Sequence, residues 1–181
     1  GVIDAHRIDF ADNTFDAVVT LDVLEHFEDE EWAVKEIERI VKPGGIIVIM
    51  VPAYMFLWGL QDEVAHHYRR YTMRRLLRKL MASTSLEVLR RSYFNTFLFA
   101  PIAAIRLTSR FFGIKGRESD FELNTPILDK ILFSVLNAER KLLQHVNFPF
   151  GVSILIILRK RISNTWIMHT IDVSSAGSVP K

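Results

Sequence analysis

The sequence contains no cysteine, which excludes disulfide bonds and any cysteine-ligated zinc or iron–sulfur site. It also lacks an apolar run of the ~18 residues that a membrane-spanning helix needs, and no signal-peptide pattern opens it. The absence of cysteine is compatible with a reducing compartment, and we expect a cytoplasmic protein.

A strong net charge is also missing, since the 181 residues carry a formal charge of only +2. Residues 1–63 hold 14 acidic and 4 basic side chains, whereas residues 64–181 hold 7 and 19. The basic half could face a nucleic acid, an anionic substrate or a lipid surface, or simply attract the acidic half. Because no nucleic-acid recognition motif is present, we expect no nucleic-acid partner.

The first part of the chain has the pattern of a βαβ unit. Phe15–Leu21 is a short apolar stretch rich in valine, and Ile46–Val51 is a second one. Between them lies a helical pattern that ends at the glycines of residues 42–45. Such a unit predicts an α/β fold with a mostly parallel sheet.

The rest of the chain also contains helical and strand patterns. Thr72 can cap an amphipathic helix, Leu86–Tyr93 reads as a strand, and Asn95–Phe112 reads as an apolar helix, either buried or interfacial. A further helix begins at Thr125 and Pro126, and Val152–Leu158 is the most apolar strand. We predict one domain over residues 1–161 and a tail over 162–181.

Four short patterns occur in an ordered spacing over about 45 residues: Asp4-Ala5, Phe15-Asp16, Leu24-Glu25-His26 and Lys42-Pro43-Gly44-Gly45. In this order they resemble the second half of a class I S-adenosylmethionine (SAM)-dependent methyltransferase core, of the type 11 group. The resemblance implies a Rossmann-like fold, the C-terminal portion of which this chain would form, and SAM as the cofactor.

The resemblance also implies which residues meet the cofactor. Asp4 and Ala5 match the pair that contacts adenine, and Leu21 and Asp22 match residues beside the methionine moiety. The family's Gly-rich loop would precede Asp4, and without it we expect this chain alone to bind SAM weakly and to be inactive. The missing central strand would leave the Phe15–Leu21 strand with an open apolar edge, through which copies could associate.

His26 and His67 are the candidate catalytic residues, because histidine can accept a proton from a hydroxyl acceptor near neutral pH. His26 could instead fix its loop by hydrogen bonding, and His66 could take the place of His67. Adjacent histidines point in different directions and no third ligand is near in sequence, so we predict no metal.

The methyl acceptor is not specified by these motifs, and we expect a small molecule or a glycan- or lipid-linked compound. Two sets of side chains could recognise it or have a plainer structural role. An arginine set could bind phosphate or an acidic sugar, or form a solvated helix face: Arg69, Arg70, Arg74, Arg75 and Arg78. A phenylalanine set could contact a lipid or membrane surface, or belong to a helix core: Phe94, Phe97, Phe99, Phe111 and Phe112.

The alternative function is a non-catalytic partner-binding module derived from a methyltransferase half.

Overall fold

The computed structural model describes residues 8–112 and 126–162. Its helices and strands, in chain order, are β1 (Phe15–Leu21), α1 (Glu30–Ile40), β2 (Val41–Pro52), α2 (Leu60–Val64), α3 (Met73–Ser83), β3 (Leu86–Phe94), α4 (Phe99–Phe111), α5 (Pro126–Leu143) and β4 (Ser153–Lys160). Short 3₁₀ turns lie at Leu24–His26 and Met55–Leu57. The predicted α/β class is therefore confirmed.

The four strands form one sheet in the order β1-β2-β4-β3. The β1 and β2 strands are parallel, whereas β4 is antiparallel to both β2 and β3. The sheet of the described residues is thus mixed rather than mostly parallel, because the last strand returns between two strands that run the other way. Within the described part of the chain β1 lies at the edge, where Val19 is 58% exposed and Leu21 53%.

The two central strands carry the hydrophobic core. Alternate residues of β2 and β4 are fully buried, and they pack with apolar residues of α1 and α3 in one cluster. The buried strand residues are Ile47, Ile49, Val51, Ile154, Ile156 and Leu158. This period of two is the one that places every second side chain on the same face of a sheet.

The two glycines that were predicted to end the first helix, Gly44 and Gly45, lie inside β2. At this point the pairing of β2 with β1 is irregular. Phe15 pairs with Val41 but Ala17 pairs with Ile46, so residues 42–45 have no counterpart on β1. Gly44 has φ +81° there, which a residue without a side chain adopts at low cost. The predicted turn is therefore accommodated as a local bulge of the strand.

The N-terminus of α1 is capped by Asp29, whose carboxylate accepts hydrogen bonds from the N–H groups of Glu31 (3.2 Å) and Trp32 (3.4 Å). Replacing Asp29 by alanine removes this cap, and we expect the free energy of unfolding to fall by about 1 kcal/mol. Urea denaturation of the variant checks this, with Glu28→Ala, just outside the cap, as the control. An equal loss in both variants would contradict the capping role.

Of the two alternatives predicted for the helix α4, buried or interfacial, the structure contradicts the buried one. The helix has no buried residue, and Phe111 and Phe112 at its end are 85% and 70% exposed. Its start is nonetheless fixed, because the buried Glu139 of α5 accepts the N–H groups of Thr96 (2.9 Å) and Phe97 (3.1 Å). No helix among the described residues is long and apolar enough to cross a bilayer.

Candidate functional site

A group of polar side chains lies at the carboxyl end of β1, the edge at which parallel strands usually present ligand sites. Asp22 follows β1 directly with a positive φ of 50°, and its N–H donates to the Met50 carbonyl (3.0 Å). The backbone then turns sharply into the 3₁₀ turn Leu24–His26. This turn places the Glu25 side chain inside the protein and leaves His26 exposed.

The segment that follows α2 packs over this turn. Tyr71 is fully buried, and its hydroxyl donates to the Leu24 carbonyl (3.3 Å). The Tyr68 N–H donates to the Glu25 carbonyl (2.8 Å), and Tyr71 forms a parallel bridge with Ala53. Burial raises the pKa of Tyr71 to about 12. These contacts bring residues 67–71 against residues 24–26, although the two segments lie more than 40 positions apart.

The two predicted catalytic histidines are neighbours as a result. The ring centroids of His26 and His67 are 4.6 Å apart, in an edge-to-face arrangement. Burial lowers the pKa of His26, and the neighbouring His67 lowers it further. His66, by contrast, is exposed and has φ 56°. The structure therefore distinguishes between the adjacent histidines and places His67 in the cluster.

Glu25 is the acidic member of this cluster. Its side chain has no solvent exposure, and neither carboxylate oxygen has a hydrogen-bond partner among the described residues. Its Oε1 lies 3.9 Å from His67 Nε2. Burial raises the pKa of Glu25 to about 7, because a charged carboxylate is costly away from water.

Asp62, at the start of α2, orients the cluster by contacting both His67 and Arg70. It is fully buried, and its Oδ1 contacts His67 Nδ1 (2.9 Å) and accepts from Arg70 Nε (2.8 Å). Its Oδ2 accepts from the Gly59 N–H (2.8 Å) and from Arg106 Nη1 (3.2 Å). Burial alone would raise the pKa of Asp62, but hydrogen bonding and charge from Arg70 hold it below its usual value. Asp62 is thus an ionised acceptor that fixes a proton on Nδ1 of His67.

The arginine set is only partly a solvated helix face. Arg70 is 6% exposed and pairs with Asp62, while Arg69 pairs with the buried Glu30. Lys79 also reaches Glu30, at 2.5 Å. On α3 itself, Arg74, Arg75 and Arg78 are exposed, as a solvated face requires.

A cavity of about 350 Å³ lies beside this network, between α4 and α5. Arg70 and Arg106 contribute polar groups to its wall, and the rest is mainly apolar. The apolar lining residues are Leu98, Ile102, Ile105, Leu132, Leu136 and Val152. The cavity therefore suits an apolar compound that carries a polar or anionic group.

The predicted cofactor residues divide into two pairs. Leu21 and Asp22 are exposed at the end of β1, about three positions before the buried Glu25. Asp4 and Ala5 lie outside the described residues.

The sequence did not reveal that Glu25 is buried or that Asp62 and Arg106 belong to the site. The one available signal for Asp62 was its capping position three residues after Gly59.

A family model and several curated proteins match parts of this chain. Residues 2–49 match the family model of the methyltransferase domain. The 2-methyl-6-phytyl-1,4-hydroquinone methyltransferase of Synechocystis sp. is 42% identical over 79 residues, which cover 42% of this chain and 23% of that protein. The demethylmenaquinone methyltransferase of Mycolicibacterium paratuberculosis is 35% identical over 82 residues, covering 45% and 34%. The matched segments thus span about a third or less of these two relatives.

The fold also has known counterparts. A structure from Bacillus halodurans C-125, assigned as a methyltransferase, superposes with a TM-score of 0.51 at 21% identity, covering 88% of this chain and 70% of the other. At that identity the likeness concerns the fold alone. The family match, the curated relatives and the shared fold together confirm the predicted resemblance to the class I SAM-dependent methyltransferases, whose domain model the chain matches at residues 2–49.

Proposed function

We propose that the chain takes part in methyl transfer from SAM to an oxygen, nitrogen or carbon atom of a small-molecule or glycan- or lipid-linked acceptor. The observation that carries this proposal is the convergence of the exposed end of β1 with His26 and His67 at one edge of the sheet. When bound, SAM supplies a methyl group on a positively charged sulfur. The protein then has to position the acceptor, exclude water and, for a hydroxyl, remove a proton.

Leu21 and Asp22 are the described residues that would hold the cofactor. Both are exposed at the carboxyl end of β1, and the positive φ of Asp22 turns the chain away from the strand there. An exposed strand end followed by a sharp turn fits a ligand that lies across the edge of the sheet. Asp4 and Ala5 remain predicted adenine contacts.

His67 is the better placed of the two candidate bases. Its Nδ1 proton is directed at Asp62, so the lone pair of Nε2 is free to accept a proton from an acceptor hydroxyl. The acceptor oxygen would form its bond to the methyl carbon as the carbon–sulfur bond breaks toward sulfur, and the hydroxyl proton would pass to Nε2. His26, at the exposed side of His67, would then line the approach.

The cavity between α4 and α5 is the candidate acceptor site. Arg70 connects it to the histidines, because this residue lines the cavity and also donates to Asp62. The apolar walls favour an acceptor with a hydrocarbon portion. The exposed Phe111 and Phe133 on the same two helices would suit a lipid-linked acceptor presented at a membrane surface.

The test is calorimetric titration with S-adenosylhomocysteine of this chain and of a longer chain that includes the preceding genomic residues. We expect the longer chain to bind with micromolar affinity and this chain to bind at least about tenfold more weakly, because the longer chain would add the Gly-rich loop that the resemblance implies. Asp22→Asn in the longer chain should weaken binding, whereas Asp16→Asn, on the same strand but far from its carboxyl end, should not.

The two other binding outcomes would each contradict part of this proposal. Equal binding by both chains would show that residues 1–181 hold a sufficient cofactor site, and would contradict the proposed weak binding. No binding by either would favour the partner-binding alternative. Size-exclusion chromatography of the same samples tests self-association through the open edge of β1, which Val19 and Leu21 make apolar.

A further inference from the structure

Three side chains of the site converge in the way that the ligands of a metal ion do. The ligand atoms of Glu25, His26 and His67 all lie within 4.8 Å of one another. Two of these residues are consecutive on the 3₁₀ turn, and the third comes from the segment packed over it. The predicted absence of a metal considered only the adjacent His66 and His67, of which His67 alone belongs to this group.

The buried carboxylate of Glu25 faces Nε2 of His67 at 3.9 Å, which is beyond hydrogen-bond distance. The hydrogen bond to Asp62 places the His67 proton on Nδ1, so Nε2 presents a lone pair toward Glu25 Oε1 at 3.9 Å. Both oxygens of the fully buried Glu25 lack a hydrogen-bond partner among the described residues. A buried carboxylate without a partner is unfavourable, and a cation bound between it and the imidazole would give both groups a partner.

The nearest buried arginine does not fill this role. The side-chain hydrogen bonds of Arg70 go to Asp62 Oδ1 (2.8 Å) and to the Ala53 carbonyl (3.2 Å). Neither reaches the Glu25 carboxylate. Asp62 therefore retains Arg70 behind the histidine, and Glu25 is left as a buried carboxylate aimed at two imidazoles.

We propose that Glu25, His26 and His67 form a binding site for a divalent transition-metal cation such as Zn²⁺. One carboxylate and two imidazoles are a donor set that such ions accept, with open positions left for water or another ligand. Metal–ligand distances of about 2.0–2.2 Å require the donor atoms to approach one another by roughly 1 Å, which side-chain rotation can provide at the exposed His26. The Asp62–His67 hydrogen bond supplies the outer carboxylate that commonly orients a metal-bound histidine.

The site itself does not depend on the proposed methyl transfer, but its consequence for the acceptor rests on that proposal. A cation at these ligands would occupy Nε2 of His67, so this nitrogen would no longer be the proton acceptor. An acceptor hydroxyl bound to the cation would lose its proton more readily, because the positive charge stabilises the oxyanion.

The test titrates the metal-free chain with Co²⁺, followed by visible absorption, and then with Zn²⁺ in competition, without SAM or acceptor. We expect one equivalent to bind, with absorption bands in the visible range. Glu25→Gln and His26→Asn should each weaken binding by at least about tenfold, whereas His66→Asn, which alters the adjacent exposed histidine, should not.

His26→Asn provides the second test if Glu25→Gln does not fold, because His26 is exposed and its ring contacts only the edge of this site, at His67. Thermal melting followed by circular dichroism verifies the fold of each variant. The proposal is overturned if the chain binds no stoichiometric Co²⁺ or Zn²⁺, or if His66→Asn weakens binding as much as His26→Asn. Failure of methyl transfer would leave this readout unaffected.

Discussion

Replacing Asp62 by asparagine is expected to lower the free energy of unfolding by about 3–5 kcal/mol. Asp62 is fully buried and is the shared partner of Arg70 and Arg106. Loss of its charge would leave two cations at low exposure without their common counter-ion, and removing one partner of a buried ion pair costs more than the pair itself contributes. Chemical denaturation of the variant measures the change.

Two further variants separate the charge effect from a packing effect. Glu63→Ala changes an exposed neighbour on the same helix, and we expect little change in stability from it. Adding Arg70→Met to Asp62→Asn removes one of the two stranded cations and should restore part of the loss. A double variant that is less stable by the sum of both single losses would show that the residues do not act as a pair.

Replacing Gly151 by alanine is expected to cost about 3 kcal/mol, toward the upper end of what overpacking produces. A Cβ at this position would lie 2.4 Å from the Phe94 carbonyl oxygen and 3.0 Å from the Tyr93 Cβ. The first of these is backbone at the end of β3 and cannot rotate away, so β3 and the start of β4 would have to separate.

Gly44→Ala is the matched control for this substitution. Among the described residues its Cβ would meet only the Ile162 side chain, at 3.7 Å, although its positive φ of 81° introduces backbone strain. We therefore expect a smaller loss, of about 1–2 kcal/mol. Thermal denaturation of both variants makes the comparison, and a larger loss for Gly44→Ala would mean that backbone strain outweighs the steric clash at Gly151.

The local patterns predicted the elements well, because each depends on neighbouring residues. The valine-rich stretch at 15–21 is a strand, and the helix after Thr72 begins where predicted, with the Thr72 hydroxyl accepting the Arg75 N–H at 3.3 Å. The direction of β4 was not foreseen. An apolar segment has the same sequence pattern whether its strand runs parallel or antiparallel to its neighbours. Only the antiparallel pairing of β4 with both β2 and β3 makes the sheet mixed.

The site was predicted in part. His26 and His67 were predicted from the proton-accepting chemistry of histidine, and their roles stay predictions, whereas their proximity is a finding of the structure. The burial of Glu25 and Arg70 could not be read from sequence, because charged residues are usually exposed. The pairing of Arg70 with Asp62 of α2 also became visible only in the fold. The composition of α4 fits a core helix, but the helix is packed only in part: Phe99 contacts Tyr54 and Phe150, whereas Phe111 is exposed.

The central position of β4 has a consequence for how the protein is made. The last of the described strands, Ser153–Lys160, separates β2 from β3, so on the ribosome β3 emerges roughly 60 residues, and β2 roughly 100 residues, before the partner that joins them. Contacts between segments so distant in sequence form slowly, and unpaired strand edges attract other chains meanwhile. Nascent chains of this protein should therefore depend on chaperone protection until residue 160 has left the exit tunnel.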